Sequence, residues 1–297
     1  MSRRAFPVQY RRLGNTDLNP SVLGFGCSMT ASVTTRYPKA DVMRTLHEAV
    51  EHGVTFFDTA DVYGQGDSER LLGDCLRDTR NHTLVCTKAG LTVGPMSHLI
   101  RFIKPIANRI ARRWSSASRF TADTRRRQER QCFDPAYLQQ SIQGSLRRLR
   151  REQIDLFLLH NPPPALSYDT EVFELLERLQ QAGTLRWFGV SCRTFEDALA
   201  WVTHPGIAAL QVPLDRTALH AAQPLLTQAT ALGVGLIARE VLGSGSRTGE
   251  AIVQALEPIL NQDSINVALV GMSCRRHLLE NLRATELATQ ANRSHDS

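Results

Sequence analysis

Four side chains set far apart in the sequence have the types needed to move a proton in a shielded site: Asp58, Tyr63, Lys88 and His160. Each stands at or just past the end of an apolar, strand-like run. Asp58 closes Val54-Thr55-Phe56-Phe57, and Tyr63 follows in a turn that runs on to Gly64 and Gly66. Lys88 closes Thr83-Leu84-Val85-Cys86-Thr87, and His160 closes Ile154-Asp155-Leu156-Phe157-Leu158-Leu159. If these runs are parallel strands of one closed barrel, their carboxyl ends share a face, and that face is where such barrels carry their chemistry.

Such a set is a proton-delivery machine, and its use follows if a carbonyl substrate is supposed to sit at the mouth beside a hydride donor. Hydride attack leaves negative charge on the carbonyl oxygen, and a positioned acid that neutralises it contributes roughly 10²–10⁴-fold in rate. Tyr63 is the candidate acid. A free phenol has a pKa of about 10, and a nearby ammonium lowers that value, which is the role expected of Lys88. Asp58 would keep the Lys88 cation paired. His160 would hydrogen-bond the substrate oxygen and share the developing charge. Taken one at a time, each residue also fits a plainer role: a turn cap, a packed ring, a solvated cation, a satisfied turn. Only the joint pattern points to catalysis.

The elements that must position these residues alternate. After an opening hairpin turned at Gly14-Asn15-Thr16-Asp17, the patterning predicts a buried strand in Ser21-Val22-Leu23-Gly24-Phe25-Gly26. Further strands are predicted at 54–58, 83–88, 154–159, 185–190, 207–212, 234–238 and 266–270. Helices are predicted at 39–52, 67–77, 135–149, 170–182, 194–203, 221–232, 248–260 and 275–289. Asp67 or Ser68 is the expected N-cap of the second helix. Eight strand–helix units in 297 residues, without a repeat or an interdomain linker, predict one domain over residues 1–297. An open doubly wound sheet shares this alternation, but the length and unit count favour a closed (β/α)8 barrel.

Composition excludes several classes. No apolar run is long enough to span a bilayer, and Met1-Ser2-Arg3-Arg4-Ala5-Phe6-Pro7 has no apolar stretch behind its basic residues, so no secretory signal is read. Six cysteines without a C-x-x-C pair read as free thiols in a reducing cytoplasm, with no metal site. The net charge of +6 is uneven: residues 101–130 hold ten Lys/Arg and two acids, so the remainder is slightly acidic. No general nucleic-acid surface follows.

The motifs resemble those of the aldo-keto reductase superfamily. Phe56-Phe57-Asp58-Thr59-Ala60-Asp61-Val62-Tyr63-Gly64 and Ser68-Glu69-Arg70-Leu71-Leu72-Gly73 are similar to its signature. Cys86-Thr87-Lys88, the run ending at His160, and Gly183-Thr184-Leu185-Arg186-Trp187-Phe188-Gly189-Val190-Ser191 match its later motifs. The resemblance covers nearly the whole chain except 89–133. It implies a (β/α)8 barrel that reduces an aldehyde or ketone with NADPH, with Asp58, Tyr63, Lys88 and His160 as the catalytic tetrad.

The resemblance also implies a cofactor path. Ser191 and Gln211 match the family's nicotinamide contacts, and Cys192 stands where the family has Asn. Arg239 would stack on the nicotinamide. Gly243, Ser244 and Gly245 form a small-residue loop suited to a pyrophosphate. Gly271, Ser273, Arg275, Arg276 and His277, leading to Glu280 and Asn281, resemble the adenosine phosphate site, and two arginines at a helix start favour a 2′-phosphate.

Residues 89–133 form a long basic insertion after the third strand. Leu99, Ile103, Ile106, Ile110 and Trp114 fall at helical spacing among arginines. This stretch is expected to be a lid over the mouth, or an element that meets an acidic partner or membrane surface through 99–130. The main expectation is therefore a cytoplasmic NADPH-dependent carbonyl reductase acting on a small molecule. The alternative is an NADPH-binding regulatory or sensor subunit on the same barrel with vestigial turnover.

Overall fold

A computed structural model describes residues 8–30, 37–93, 129–243 and 248–293. The strands of the barrel are β1 (Leu23–Gly26), β2 (Phe56–Asp58), β3 (Leu84–Ala89), β6 (Ile154–His160), β7 (Leu185–Ser191), β8 (Ala209–Pro213), β9 (Gly235–Arg239) and β10 (Val267–Gly271). They close in the order β1-β10-β9-β8-β7-β6-β3-β2, with every neighbouring pair parallel. Because β1 pairs with both β2 and β10, the sheet has no free edge, and the open doubly wound alternative is set aside. The architecture is a (β/α)8 TIM barrel.

Helices α1 (Lys39–Glu51), α2 (Asp67–Cys75), α3 (Pro135–Leu149), α4 (Thr170–Gln181), α5 (Phe195–Trp201), α6 (Gln223–Leu232), α7 (Glu250–Leu260) and α8 (Arg275–Arg293) follow the strands. Two apolar layers result. Strand residues such as Phe25, Phe57, Val85, Phe157 and Val190 pack outward against the helices. The alternate positions, Phe56, Cys86, Leu156, Leu158, Ala209, Ile237 and Val267, fill the barrel interior. Local signals explain several helix ends. Asp134 caps α3 by accepting from Tyr137 N at 3.0 Å, with Pro135 in the first turn. Thr194 caps α5 through Asp197 N at 3.1 Å, and Gly233 ends α6 in the left-handed conformation.

Two expectations are corrected, and one element is new. The opening hairpin turns where expected, with Leu13 N bonded to Leu18 O and Arg11 N to Pro20 O. Its arms, however, share a single antiparallel bridge, Tyr10 with Ser21. Pro20 has no N–H to give, and the arm's other groups bond to the barrel floor: Asn15 N to Gly233 O at 2.7 Å, and Arg12 O to Asn266 Nδ2 at 2.7 Å. Leu13 and Leu18 plug the interior from below, while Arg11 donates to the carbonyls of Leu260, Gln262 and Ile265.

The second correction concerns α2, which is entered from Gly66 in the left-handed region (φ 84°) with no side-chain cap. Ser68 is turned inward instead, to Thr59 Oγ1 and Cys27 O. At the base of the insertion stands an element with no counterpart in the sequence patterning, a two-stranded antiparallel ribbon in which β4 (Leu91–Val93) pairs with β5 (Glu129–Gln131). Gly90 (φ 119°) makes this departure possible, since any Cβ there would strike the Phe133 ring. Leu99, Ile103, Ile106, Ile110 and Trp114 lie outside the described residues. Among the described residues, no helix is long and apolar enough to cross a membrane, and all six cysteines are free thiols.

Candidate active site

Asp58, Lys88, His160, Ser191 and Gln211 sit at the carboxyl ends of five consecutive barrel strands, β2, β3, β6, β7 and β8. Register aligns part of this rim: His160 pairs with Ser191, and Ser191 with Gln211. Asp58, His160, Ser191 and Gln211, together with Tyr63, face a cavity of about 580 Å³, while Lys88 is buried behind them.

Lys88 is fully buried. Its Nζ donates to Asp58 Oδ1 at 2.6 Å, Asp58 Oδ2 at 2.7 Å and Thr59 O at 2.8 Å, so all three ammonium protons are taken. Burial is the strongest single influence and pushes its pKa down, but the Asp58 carboxylate, acting together with the Tyr63 and Cys86 groups, more than offsets it and leaves the ammonium above its ordinary value. The cation therefore persists at neutral pH. It lies 5.2 Å from the centre of the Tyr63 ring, and the His160 ring meets Tyr63 edge-on with centroids 5.9 Å apart.

The electrostatics of Tyr63 differ from expectation. Lys88 does pull the phenol down, but burial acts more strongly and Asp58 adds to it, so the pKa ends above its ordinary value. Tyr63 is thus a firmly protonated acid rather than one poised to lose its proton to water. Burial, then the charges of Lys88 and Arg239, hold His160 well below its usual value. It is a neutral imidazole at physiological pH and can donate one N–H.

Other residues build the loop that carries Tyr63. The N–H of Asp61 bonds to Lys88 O at 3.0 Å. Its carboxylate accepts from Ser141 Oγ at 2.5 Å on α3, while Oδ1 is sealed from water without a partner. Burial, chiefly, raises Asp61 to about 7. Behind it, fully buried Glu69 accepts from Thr87 Oγ1 at 2.7 Å and pairs with Arg148 at 2.5 Å. The sequence held no cue to Asp61 or this pair, because their partners are 76 to 80 and 79 positions away.

The expected cofactor residues divide. Ser191 and Gln211 are at the cavity, with Ser191 Oγ donating to Gln211 Oε1 at 2.9 Å and Gln211 Nε2 to Asp58 Oδ1 at 2.8 Å. Cys192 is not there. It is buried in the layer between strands and helices, and burial drives its thiol pKa well up. Arg239 lines the cavity, but its guanidinium is engaged by Cys192 O at 2.9 Å, Arg193 O at 3.3 Å and the Glu240 carboxylate. Gly243 and Gly271 line the same cavity, and a Cβ on Gly271 would meet nothing. Ser244 and Gly245 lie outside the described residues. At the start of α8, Arg275 leans on Glu48 at 2.9 Å, and Arg276 neighbours Glu280 and His277. Tyr37 sits edge-on to His277. Ser273 is half-buried; Glu280 Oε2 and Asn281 Oδ1 are sealed acceptors without partners.

These features fit a nicotinamide dinucleotide. Open backbone at Gly271, a helix N-terminus with two exposed arginines, and unpaired buried acceptors at Glu280 and Asn281 suit an anionic phosphate and an adenine amino group.

The closed barrel with its polar rim is a TIM barrel, and comparison with known proteins makes the assignment specific. The model of the aldo/keto reductase family matches residues 22–295, and the chain belongs to that family. The "Uncharacterized oxidoreductase YqkF" of Bacillus subtilis (strain 168) is 32% identical over 186 residues, 62% of this chain and 49% of that protein. The chain thus spans about half the length of this curated relative. Among solved structures, the PA4992 protein of Pseudomonas aeruginosa superposes with a TM-score of 0.75 at 24% identity, over 94% of this chain and 96% of the other. The aldo-keto reductase AKR11C1 of Bacillus halodurans, in its holo form, gives 0.72 at 21% identity, over 96% of each chain. At these identities the likeness concerns the fold.

Proposed function

We propose that this protein reduces an aldehyde or ketone to the alcohol with NADPH, Tyr63 delivering the proton. The observation that carries the reading is the geometry of Lys88: a sealed ammonium, saturated by Asp58 and Thr59, beside a phenol that opens to the cavity.

A bound nicotinamide dinucleotide supplies the hydride. The chain's residues do the rest. His160, neutral and edge-on to Tyr63, donates to the substrate oxygen and orients it toward the phenol. As negative charge gathers on that oxygen, Tyr63 gives up its proton. An alkoxide is far more basic than a phenolate, so a raised phenol pKa does not block the transfer. Lys88 stabilises the phenolate left behind, and Asp58 holds Lys88 in place. Gln211 and Ser191 extend the hydrogen-bonded chain from Asp58 toward the cofactor groove. Arg276 and the start of α8 favour NADPH over NADH through its 2′-phosphate. An intact proton-delivery set speaks for turnover rather than for a sensor. The substrate is a small carbonyl compound, and the protein works in the cytoplasm as one barrel domain.

Tyr63→Phe tests the reading in a steady-state assay with a panel of aldehydes and ketones. The phenol acts only on developing charge, so kcat should fall roughly 10²-fold or more, with NADPH affinity nearly unchanged. Near-normal kcat in the variant would remove Tyr63 from the mechanism. Equal affinity of the parent protein for NADPH and NADH would remove the phosphate site.

A further inference from the structure

Gripping a nicotinamide carboxamide takes a group that can donate and accept side by side. On β7 and β8 the one amide at the cavity is already partly committed. Gln211 is used at both ends, its Oε1 by Ser191 and its Nε2 by Asp58. Cys192, which follows Ser191, turns its thiol into the outer apolar layer.

A free amide stands on the neighbouring strand end. Asn161 follows His160 and lines the same cavity, beside the end of β7. Its backbone is clamped from both sides: its N–H bonds to Ser191 O at 2.7 Å, and its carbonyl accepts from Gln131 Nε2 at 2.6 Å. The residue is left-handed, φ 52°, a conformation that asparagine tolerates better than most residues. Its side chain, by contrast, makes no hydrogen bond among the described residues, and Oδ1 is a sealed acceptor without a partner. An unpaired buried acceptor of this kind calls for an explanation. A half-turn about the terminal torsion exchanges oxygen and nitrogen, so either end of the amide can face the cavity.

We propose that Asn161 supplies the amide that recognises the cofactor carboxamide, from the end of β6, where Cys192 at the end of β7 cannot. This rests on the nicotinamide-dependent reading above. The two strand ends are hydrogen-bonded neighbours, so moving the amide from one to the other keeps it on the same side of the cavity. Asn161 also ties cofactor recognition to the insertion, because Gln131 in its basal ribbon holds the Asn161 carbonyl.

The variant to test is Asn161→Gly, which removes the amide and suits the left-handed backbone. Binding to the full chain is followed by quenching of tryptophan fluorescence, with NADP+ and with 2′-phospho-ADP-ribose, which lacks the nicotinamide. NADP+ affinity should fall about fivefold, the equivalent of one net hydrogen bond, while the nicotinamide-free ligand binds as before. Unchanged NADP+ affinity overturns the proposal. Equal loss for both ligands also overturns it, since it marks a structural role. A parent protein that binds neither ligand overturns the nicotinamide reading and this inference with it. A parent that binds both, with an unaffected variant, overturns the assignment of Asn161 alone.

Discussion

Replacing Asp61 with asparagine should make the protein more stable at alkaline pH and leave it nearly unchanged in acid. Burial raises the carboxyl from 3.8 to about 7, so between those values the folded chain holds a proton that the unfolded chain releases. Stability must therefore fall as pH rises through that window, and the full loss is present above pH 7. At 1.36 kcal/mol per pH unit, the rise corresponds to on the order of 4 kcal/mol. Because Asp61 is only half-buried as a residue, relaxation and screening bring the expectation to about 2 kcal/mol. Asparagine keeps an acceptor for Ser141 and carries no charge. Urea unfolding at pH 5 and pH 8 measures both proteins. The parent should lose about 1 kcal/mol between the two conditions relative to the variant, because more than a third of the titration window already lies below pH 5. Parallel pH dependence in the two would show that Ser141 and Arg148 fully compensate the buried charge, and the reasoning would fail.

Three more outcomes can be checked. Asp58→Ala leaves the fully buried Lys88 ammonium without its counter-charge; a loss of about 3–5 kcal/mol is expected in denaturant melts, and a loss below about 1 kcal/mol would mean that water reaches Lys88. Cys192→Asn forces an amide into the apolar outer layer and should destabilise the fold by about 1–3 kcal/mol without tightening NADP+; a tighter complex would place that side chain at the cavity after all. With His160 held below its usual range and Tyr63 above it, carbonyl reduction should show no imidazole titration near neutrality. The rate should fall only when the phenol deprotonates, above pH ~10; an alkaline limb below pH 9 would contradict the balance found at Tyr63.

That Asp58, Tyr63, Lys88 and His160 would come together was legible because they close or directly follow aliphatic and aromatic runs, and the carboxyl ends of a closed parallel barrel share one rim. Cys192 was misjudged, although a signal was available. Side chains alternate along a strand, and Val190 faces the outer layer, so Cys192, two positions on, faces it too while Ser191 turns to the cavity. Other features had no local sign. The net rise at Tyr63 depends on how deeply tertiary packing buries it. Asp61 acquires its environment from Tyr137 and Ser141 on another helix. Arg239 read as a stacking group, yet its length lets it reach the Cys192 and Arg193 carbonyls. The first hairpin was legible as a turn, but where its arms would bond was not.

That hairpin bears on the order in which the molecule can be completed. The floor beneath the barrel is synthesised long before its partners: Arg11 waits for Gln262, 251 positions on, and the Arg12 carbonyl for Asn266, 254 positions on. Contacts of such long separation close slowly, because the intervening chain must be ordered first. A nascent chain stopped short of residue 260 therefore keeps Leu13, Leu18 and the inner faces of its early strands wet. From the emergence of β1 until that of β10 the growing barrel is an unclosed sheet with adhesive edges, and the step that ends this exposure is the arrival of β10 beside β1.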